Sequence, residues 1–400
     1  MSSSTNAVPL NGLSDFSLVA GGPLYQLWRR AHLAGDELQL NRRRIVVMAL
    51  LAWLPLLLLS MAAGHAWGSS VALTFLKDVE THVRLLVAVP LLVMAELKVH
   101  QRLSPIVRNF LERGLIPDAA RPQFAAAVTS AMRLRNSVVA ELLLIVFVYA
   151  VGVPFIWRAQ ATLDMSSWYL LVEGGTQQLS RAGWWAACVS MPLFQFLVLR
   201  WYYRLFIWAR FLWQVSRIRL NLMPTHPDGT AGLHFLNLIN RAYSYVLLAQ
   251  GTVLAGLIAN RVLYGGAKLM EFKVELFGTV ALMVFAILGP LFVFTPQLRR
   301  TRREGMEECG ALGQTYAVEF DRKWFRGDAP TDEPLVGSAD IQSLADLRNS
   351  FLLIKDIEYV PFNLKTVLNL ALTTLLPVAP LLLTTFSVEQ LLERVLKAIL

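Results

Sequence analysis

Ionisable side chains inside long apolar runs are the residues of this chain most able to do chemistry, because lipid makes an unpaired charge costly. Glu141 lies near one end of the run 138–156, and Arg200 and Arg204 lie near one end of the run 184–206. If those ends share a membrane side, opposite charges sit at similar depth on consecutive helices. The plainer reading is an ion pair that fastens helices near the interface, where long side chains still reach water. The functional reading is an ion or proton path. Gln195 and Gln250 fall near the middle of their runs, where an unpaired amide is expensive. They act either as interhelical glue, bonded to each other, or as a substrate contact. Gly251, Ala255 and Ala259 recur every four residues, a stripe that predicts close backbone packing within or between chains and no catalysis.

The most distinctive polar motif is Pro224-Thr225-His226-Pro227-Asp228-Gly229-Thr230-Ala231-Gly232-Leu233. Pro227 suits the second position of a turn, His226 before it is extended, and Asp228-Gly229 completes the reversal. Thr230 is then expected to cap the helix leading into the next run. As a site, His226, Asp228 and His234 would hold a metal, or the turn at Gly229 would receive an anion such as phosphate. The spacing matches no standard zinc site and the turn lacks a P-loop lysine, so the plain turn is preferred. HExxH, GxSxG, GxxxxGK[ST] and CxxC are all absent from the sequence. Cys188 and Cys309 make neither a disulfide framework nor a metal cluster. Asp340 and Asp346 do not share a helix face well enough for paired acid and base work. The motifs therefore lean away from an enzyme, indicate no metal, and leave any cofactor unknown.

Seven apolar runs must position these residues: 45–67, 83–97, 138–156, 184–206, 242–263, 276–294 and 367–386. A spanning helix needs about 20 mostly apolar residues, and most of the runs meet that length. With 55% hydrophobic and 16% charged residues, the chain's main solvent is the lipid bilayer. The net charge of +9 lies in the connections, where orientation during insertion explains it and nucleic acid does not. Arg42, Arg43 and Arg44, the basic connection after the second run, Arg210, Arg217 and Arg219, and Arg299, Arg300, Arg302 and Arg303 all read as cytoplasmic. The second run is the weakest, with Arg84 and Lys98 snorkelling to opposite interfaces. Crossing there keeps the basic loops on one side, which gives seven spans, N-terminus inside and C-terminus outside. Pro55, Pro90, Pro154, Pro192, Pro290, Pro377 and Pro380 predict kinked spans.

The expected organisation is a cytoplasmic segment 1–44, spans within 45–97, a helical connection 98–137, spans within 138–206, a connection 207–241 holding the turn, spans within 242–294, a helical region 295–366, a last span 367–386 and an interfacial helix 387–400. In the first segment, which shows no secretory signal, Leu24, Tyr25, Leu27 and Trp28 beside Arg29 and Arg30 predict a surface helix. Pro105 is expected to open a helix closed by Gly114, and a helix from near Pro122 to run straight into the third span. The sixth span should continue as a stem through Met306, Leu312, Tyr316 and Trp324, a reading that Gly305, Gly310 and Gly313 weaken. Ser338 should cap a helix with Leu344, Leu347, Phe351 and Ile354 on one face. Ser387 and Gln390 form a capping box ahead of the last helix.

The turn at His226 to Gly229, the run Gly337-Ser338-Ala339-Asp340-Ile341-Gln342-Ser343-Leu344-Ala345-Asp346-Leu347 and the following Val360-Pro361-Phe362 resemble a group of uncharacterised bacterial inner-membrane proteins. The resemblance covers roughly the C-terminal half and implies a multi-pass protein of the bacterial cytoplasmic membrane, with no activity attached. The sequence thus predicts an all-α, seven-helix transmembrane bundle with a cytoplasmic helical layer. Its first functional expectation is an oligomeric channel or transporter for a small ion or solute. The alternatives are a membrane-anchored scaffold or signalling protein that docks a cytosolic partner, and a lipid-handling enzyme in which His226, Asp228 or Glu141 converge.

Overall fold

Helices form along the apolar runs because a helix satisfies its own backbone where lipid offers no partner. The computed structural model describes residues 16–19, 21–23, 25–26, 41–154, 166–173, 176–330, 333–334 and 338–384. Helix α1 is Asn41–Ala62. Val79–Val83, a π-helical turn Arg84–Ala88 and Val89–Glu112 run on as α2. Helix α3 is Arg121–Arg135, and α4 is Val138–Phe147 with the π-helical turn Val148–Gly152. A short antiparallel hairpin, β1 (Leu170–Glu173) with β2 (Thr176–Leu179), pairs Leu170 with Leu179. Then come α5 (Arg181–Val215), α6 (Ser244–Tyr264), α7 (Leu269–Phe325), α8 (Ala339–Lys355) and α9 (Leu364–Thr384). The surface helices expected at Leu24, Leu27 and Trp28 and at 387–400 lie outside the described residues.

The protein is an all-α, multi-span integral membrane protein. Five helices, α1, α5, α6, α7 and α9, are long and apolar enough to cross a bilayer, and α3 with α4 make a sixth if that pair is one span. The pair is bent by 46°, so α3 does not run straight into α4. Ser137 restarts the helix by accepting the Ala140 N–H at 3.2 Å. Helix α2 stands apart: Glu80, Arg84, Glu96 and Lys98 break its apolar run, yet Leu85, Ala88, Val89, Leu92 and Ala95 are completely buried. Helices α1, α5 and α6 pack around it, and two of the charges that weaken it as a span, Arg84 and Glu96, are buried against protein. It also passes through Pro105 without a break. Gly114, with φ +64°, closes it in the left-handed region.

Three of the prolines stand just after widened helical turns. Pro90, Pro154 and Pro192 each follow a π-helical turn, Arg84–Ala88, Val148–Gly152 and Ala186–Ser190. A proline has no N–H and its ring clashes with the carbonyl four residues back; the wider turn accommodates both. The carbonyl orphaned by Pro192, that of Cys188, accepts the Tyr149 hydroxyl at 2.8 Å. Gln195 Nε2 donates to the Gly152 carbonyl at 3.1 Å, which ties α5 to α4 and leaves no bond between Gln195 and Gln250.

The small-residue stripe of α6 is used within the chain. A Cβ at Gly251 would lie 1.9 Å from the Thr374 carbonyl oxygen of α9; outside the stripe, one at Gly256 would lie 3.2 Å from Glu80 Cα of α2. Helix α7 continues unbroken beyond the bundle as a stem, its three glycines notwithstanding. Gly305 lies where the stem passes Pro224, whose Cβ would be 2.6 Å from an added Cβ. Ser338 caps α8 by accepting the Asp340 N–H at 3.2 Å. The Asp340 carboxylate receives Lys323 Nζ and Trp324 Nε1, each at 2.9 Å, and so pins α8 to the stem.

Candidate functional site, a buried charge layer

The centre of the charged constellation is Glu96, on the protein-facing side of α2. Its side chain is 7% exposed. Oε1 accepts Arg200 Nη1 at 3.1 Å and Arg204 Nη2 at 2.8 Å, and Oε2 accepts Arg44 Nη2. Arg200 and Arg204 are one turn apart on α5 and so share a face. Arg200 Nη2 also lies 3.3 Å from Glu141 Oε1 of α4. Four helices, α1, α2, α4 and α5, thus meet through ionised groups, the condition under which buried charge is tolerated. The Arg204 guanidinium lies 4.6 Å over the Trp201 ring, and Trp201 Nε1 donates to the Leu92 carbonyl at 3.1 Å.

The N-terminal segment packs beside this layer, against Arg135 and His100. Phe16, Ser17, Leu18 and Val19 are all buried. Arg135 Nη1 donates to the Ser17 carbonyl at 2.6 Å, and the Ser17 hydroxyl lies 2.8 Å from His100 Nδ1. A Cβ at Gly21 would meet the Arg135 guanidinium, and one at Gly22 would come within 3.5 Å of Glu141 Oε1.

A second polar layer sits at the other end of α2. Asp78 is 3% exposed. It accepts the Thr81 N–H at 3.1 Å, the Thr81 hydroxyl at 2.6 Å, Trp168 Nε1 at 2.9 Å and Asn260 Nδ2 at 2.8 Å. Glu80 pairs with Arg84, which also reaches Met191 Sδ at 3.1 Å. Trp53 Nε1 donates to His82 Nδ1 at 2.8 Å. Between the layers, Ala88, Val89, Leu92, Ala52 and Leu56 are fully buried. This apolar septum spans the roughly 18 Å that separate Arg84 from Glu96 along the helix axis.

Sequence reasoning found Glu141, Arg200 and Arg204 but not Glu96, Arg44, Asp78 or His82. Arg44 reads as an orientation signal and Glu96 as part of a weak span. The signal for Glu96 was present, since a carboxylate between Ala95 and Leu97 in an apolar run needs a partner.

The turn at His226 is a separate feature. Asp228 Oδ1 accepts the N–H groups of Thr230 at 2.9 Å and Gly232 at 3.0 Å, and Oδ2 accepts that of His234 at 3.1 Å. Asp228 therefore receives the entering helical turn, the role expected of Thr230. Burial would raise its carboxyl pKa, but the backbone donors of Gly232, Thr230 and His234, with His226 alongside, hold it below the usual carboxylate range. Gly229 and Gly232 have positive φ, as does Ala231 at 52°. The carboxylate thus builds the turn, and among the described residues no three His, Cys, Asp or Glu side chains group as a metal site would require. Beside the turn lies a cavity of about 580 Å³ lined by Arg113, Asn221, Met223, His226 and Gly232. A neighbouring cavity of about 540 Å³ is lined by Arg217, Arg219, Gln297, Arg300 and Glu304. Glu141 belongs to the buried layer and lines neither, so it does not converge with His226 and Asp228. No family model matches the chain, and comparison with curated proteins and with solved structures gives no match, so the functional reading rests on this geometry.

Proposed function

We propose that the protein is a channel or transporter for a small ion or solute in a bacterial cytoplasmic membrane, with α2 as a seventh crossing. The N-terminus and the arginine-rich face are placed inside and the C-terminus outside. The observation that carries this reading is α2 itself, whose ionisable residues face protein at two depths. Such groups mark ion and substrate paths in membrane proteins. The septum between the layers is a closed state, since a dry apolar constriction is a barrier to ions. Residues 16–19 close the inner layer. Purified full-length protein in liposomes should pass at least one member of a panel of ions and small solutes, and a variant lacking residues 1–22 should pass it faster. A folded protein that passes none of them would end the transport reading.

A second reading has its own observation, the two adjoining cavities on the arginine-rich face. They suit a scaffold whose His226 turn and α8 dock a cytosolic partner. It predicts that Met223→Ala and Arg219→Ala abolish capture of that partner without changing thermal stability. A partner captured equally by the unmodified protein and by both variants would remove it.

A further inference from the structure

Helix α5 packs against α7 at Gly289–Phe294, where the apolar run of α7 ends. Beyond that contact opens the cavity of about 540 Å³ on the arginine-rich face. One wall is a single face of α7, since Gln297, Arg300, Glu304 and Glu308 line it at steps of three and four. The other is the segment that leaves α5, and Gln297 fixes it. Its Nε2 donates to the Ser216 and Ile218 carbonyls at 2.7 and 2.8 Å, and its Oε1 accepts the Leu220 N–H at 3.3 Å. Burial then alternates: Ile218 and Leu220 are buried, while Arg217 and Arg219 stay exposed and line the cavity. Neither arginine makes a hydrogen bond or an ion pair among the described residues. Arg300 faces them from α7, its Nε held by Glu304 at 2.6 Å, which leaves both terminal nitrogens of the fork for another acceptor. The Arg217 guanidinium lies 5.0 Å over the ring of Trp213, which is 48% exposed near the end of α5. Exposed tryptophan beside basic residues is characteristic of the lipid headgroup level.

We infer that this cavity seats the phosphate of an anionic phospholipid headgroup, of phosphatidylglycerol type, between Arg217, Arg219 and Arg300. Guanidinium forks match phosphate oxygens in pairs, and basic pockets between spanning helices receive such headgroups. Position selects the lipid over a soluble phosphate. The cavity begins one turn past the apolar run of α7, and its carboxylates, Glu304 and Glu308, stand one and two turns farther from that run than Arg300. They disfavour a phosphate dianion arriving from water and leave the membrane-side arginines to a phosphodiester monoanion. The site requires only that the chain spans a membrane, so it stands apart from the transport reading.

Thermal unfolding of the full-length protein in a neutral detergent tests the site, with phosphatidylglycerol, phosphatidylcholine or glycerol phosphate added in turn. Ligand linkage predicts a saturable rise of roughly 3 °C with phosphatidylglycerol and none with phosphatidylcholine or glycerol phosphate. The rise should be reduced in Arg219→Gln and lost in Arg217→Gln combined with Arg219→Gln; both side chains are exposed, so the variants keep the fold. Arg303→Gln, on the same stem but outside the cavity, should retain it in full. Equal rises with the two lipids, a rise that survives the double variant, or one lost equally in Arg303→Gln would overturn the site. A matching rise with glycerol phosphate would reassign the cavity to a soluble phosphate compound and overturn the lipid. Capture of a cytosolic protein that Arg219→Gln abolishes, with no response to phosphatidylglycerol, would favour the scaffold reading and overturn the lipid site. Absence of flux in liposomes, with the lipid response intact, removes transport alone and supports the site as a separate feature.

Discussion

Glu96 and Asp78 are buried carboxylates at opposite ends of one helix, and they are held in opposite ways. Glu96 is neutralised by guanidinium groups from α1 and α5. Asp78 is held by neutral donors alone, two from nearby Thr81 and one each from Trp168 and Asn260. A carboxylate matched by charge couples distant helices strongly, and losing it leaves cations buried without compensation. One solvated by neutral dipoles keeps its own local structure, and its loss is limited to the donors it served.

The most severe test of this contrast is Glu96→Ala. It should destabilise the protein by about 3–5 kcal/mol, the range for removing one partner of a buried ion cluster, read as thermal unfolding in detergent. A change no larger than that of a surface substitution would show that the layer is hydrated and not buried. Asp78→Asn comes next. Its amide keeps one acceptor oxygen for four donors, so a loss of about 1–3 kcal/mol is expected; a loss equal to that of Glu96→Ala would erase the distinction between the layers. Asn260→Ala removes one of those donors and should cost about 1 kcal/mol, additive with a substitution at Glu96 because the two sites share no partner. Strong coupling between them would show that the septum transmits structure from one layer to the other.

Asp228 offers the same neutral-donor design at the surface, and there pH can read it. Its folded-state pKa is lowered, so its contribution is complete above the ordinary carboxylate value of about 3.9 and is lost as pH falls through the lower folded value. Amide protection at Thr230, Gly232 and His234 should stay constant from neutral pH to about pH 4 and decline below it, with little change in global unfolding. Protection that declines already near neutral pH would show that a different group, such as His226, controls the turn.

Much of the bundle was legible because local rules decide it. Apolar runs of spanning length produced α1, α5, α6 and α9, and the three-and-four spacing from Met306 to Trp324 carried α7 on as a stem. Ser338 acts as a helix cap through its own neighbour's N–H. Within the site, Arg200 and Glu141 were placed at similar depth on consecutive spans, and they lie 3.3 Å apart. Glu96 was missed because hydropathy averages a residue with its neighbours in sequence, whereas its cost depends on which helices surround it. Gln195 found the Gly152 carbonyl, beside a π-helical turn that no periodicity announces. The stripe of Gly251, Ala255 and Ala259 announced a close contact but could not name Thr374 as the atom met.

The sequence by itself determined that this is a membrane bundle, where most of its long apolar helices lie, and which residues lipid would tolerate only with partners. Those properties follow from side-chain transfer free energies and backbone satisfaction, which act residue by residue and over single turns. Only the tertiary structure decided that α2 lies at the centre, that Glu96 gathers arginines from two other helices, and that Ser17 meets Arg135 and His100. Those choices depend on distances between groups far apart in the chain. An electrostatic energy that varies with separation and with the surrounding dielectric has no value until the fold supplies both.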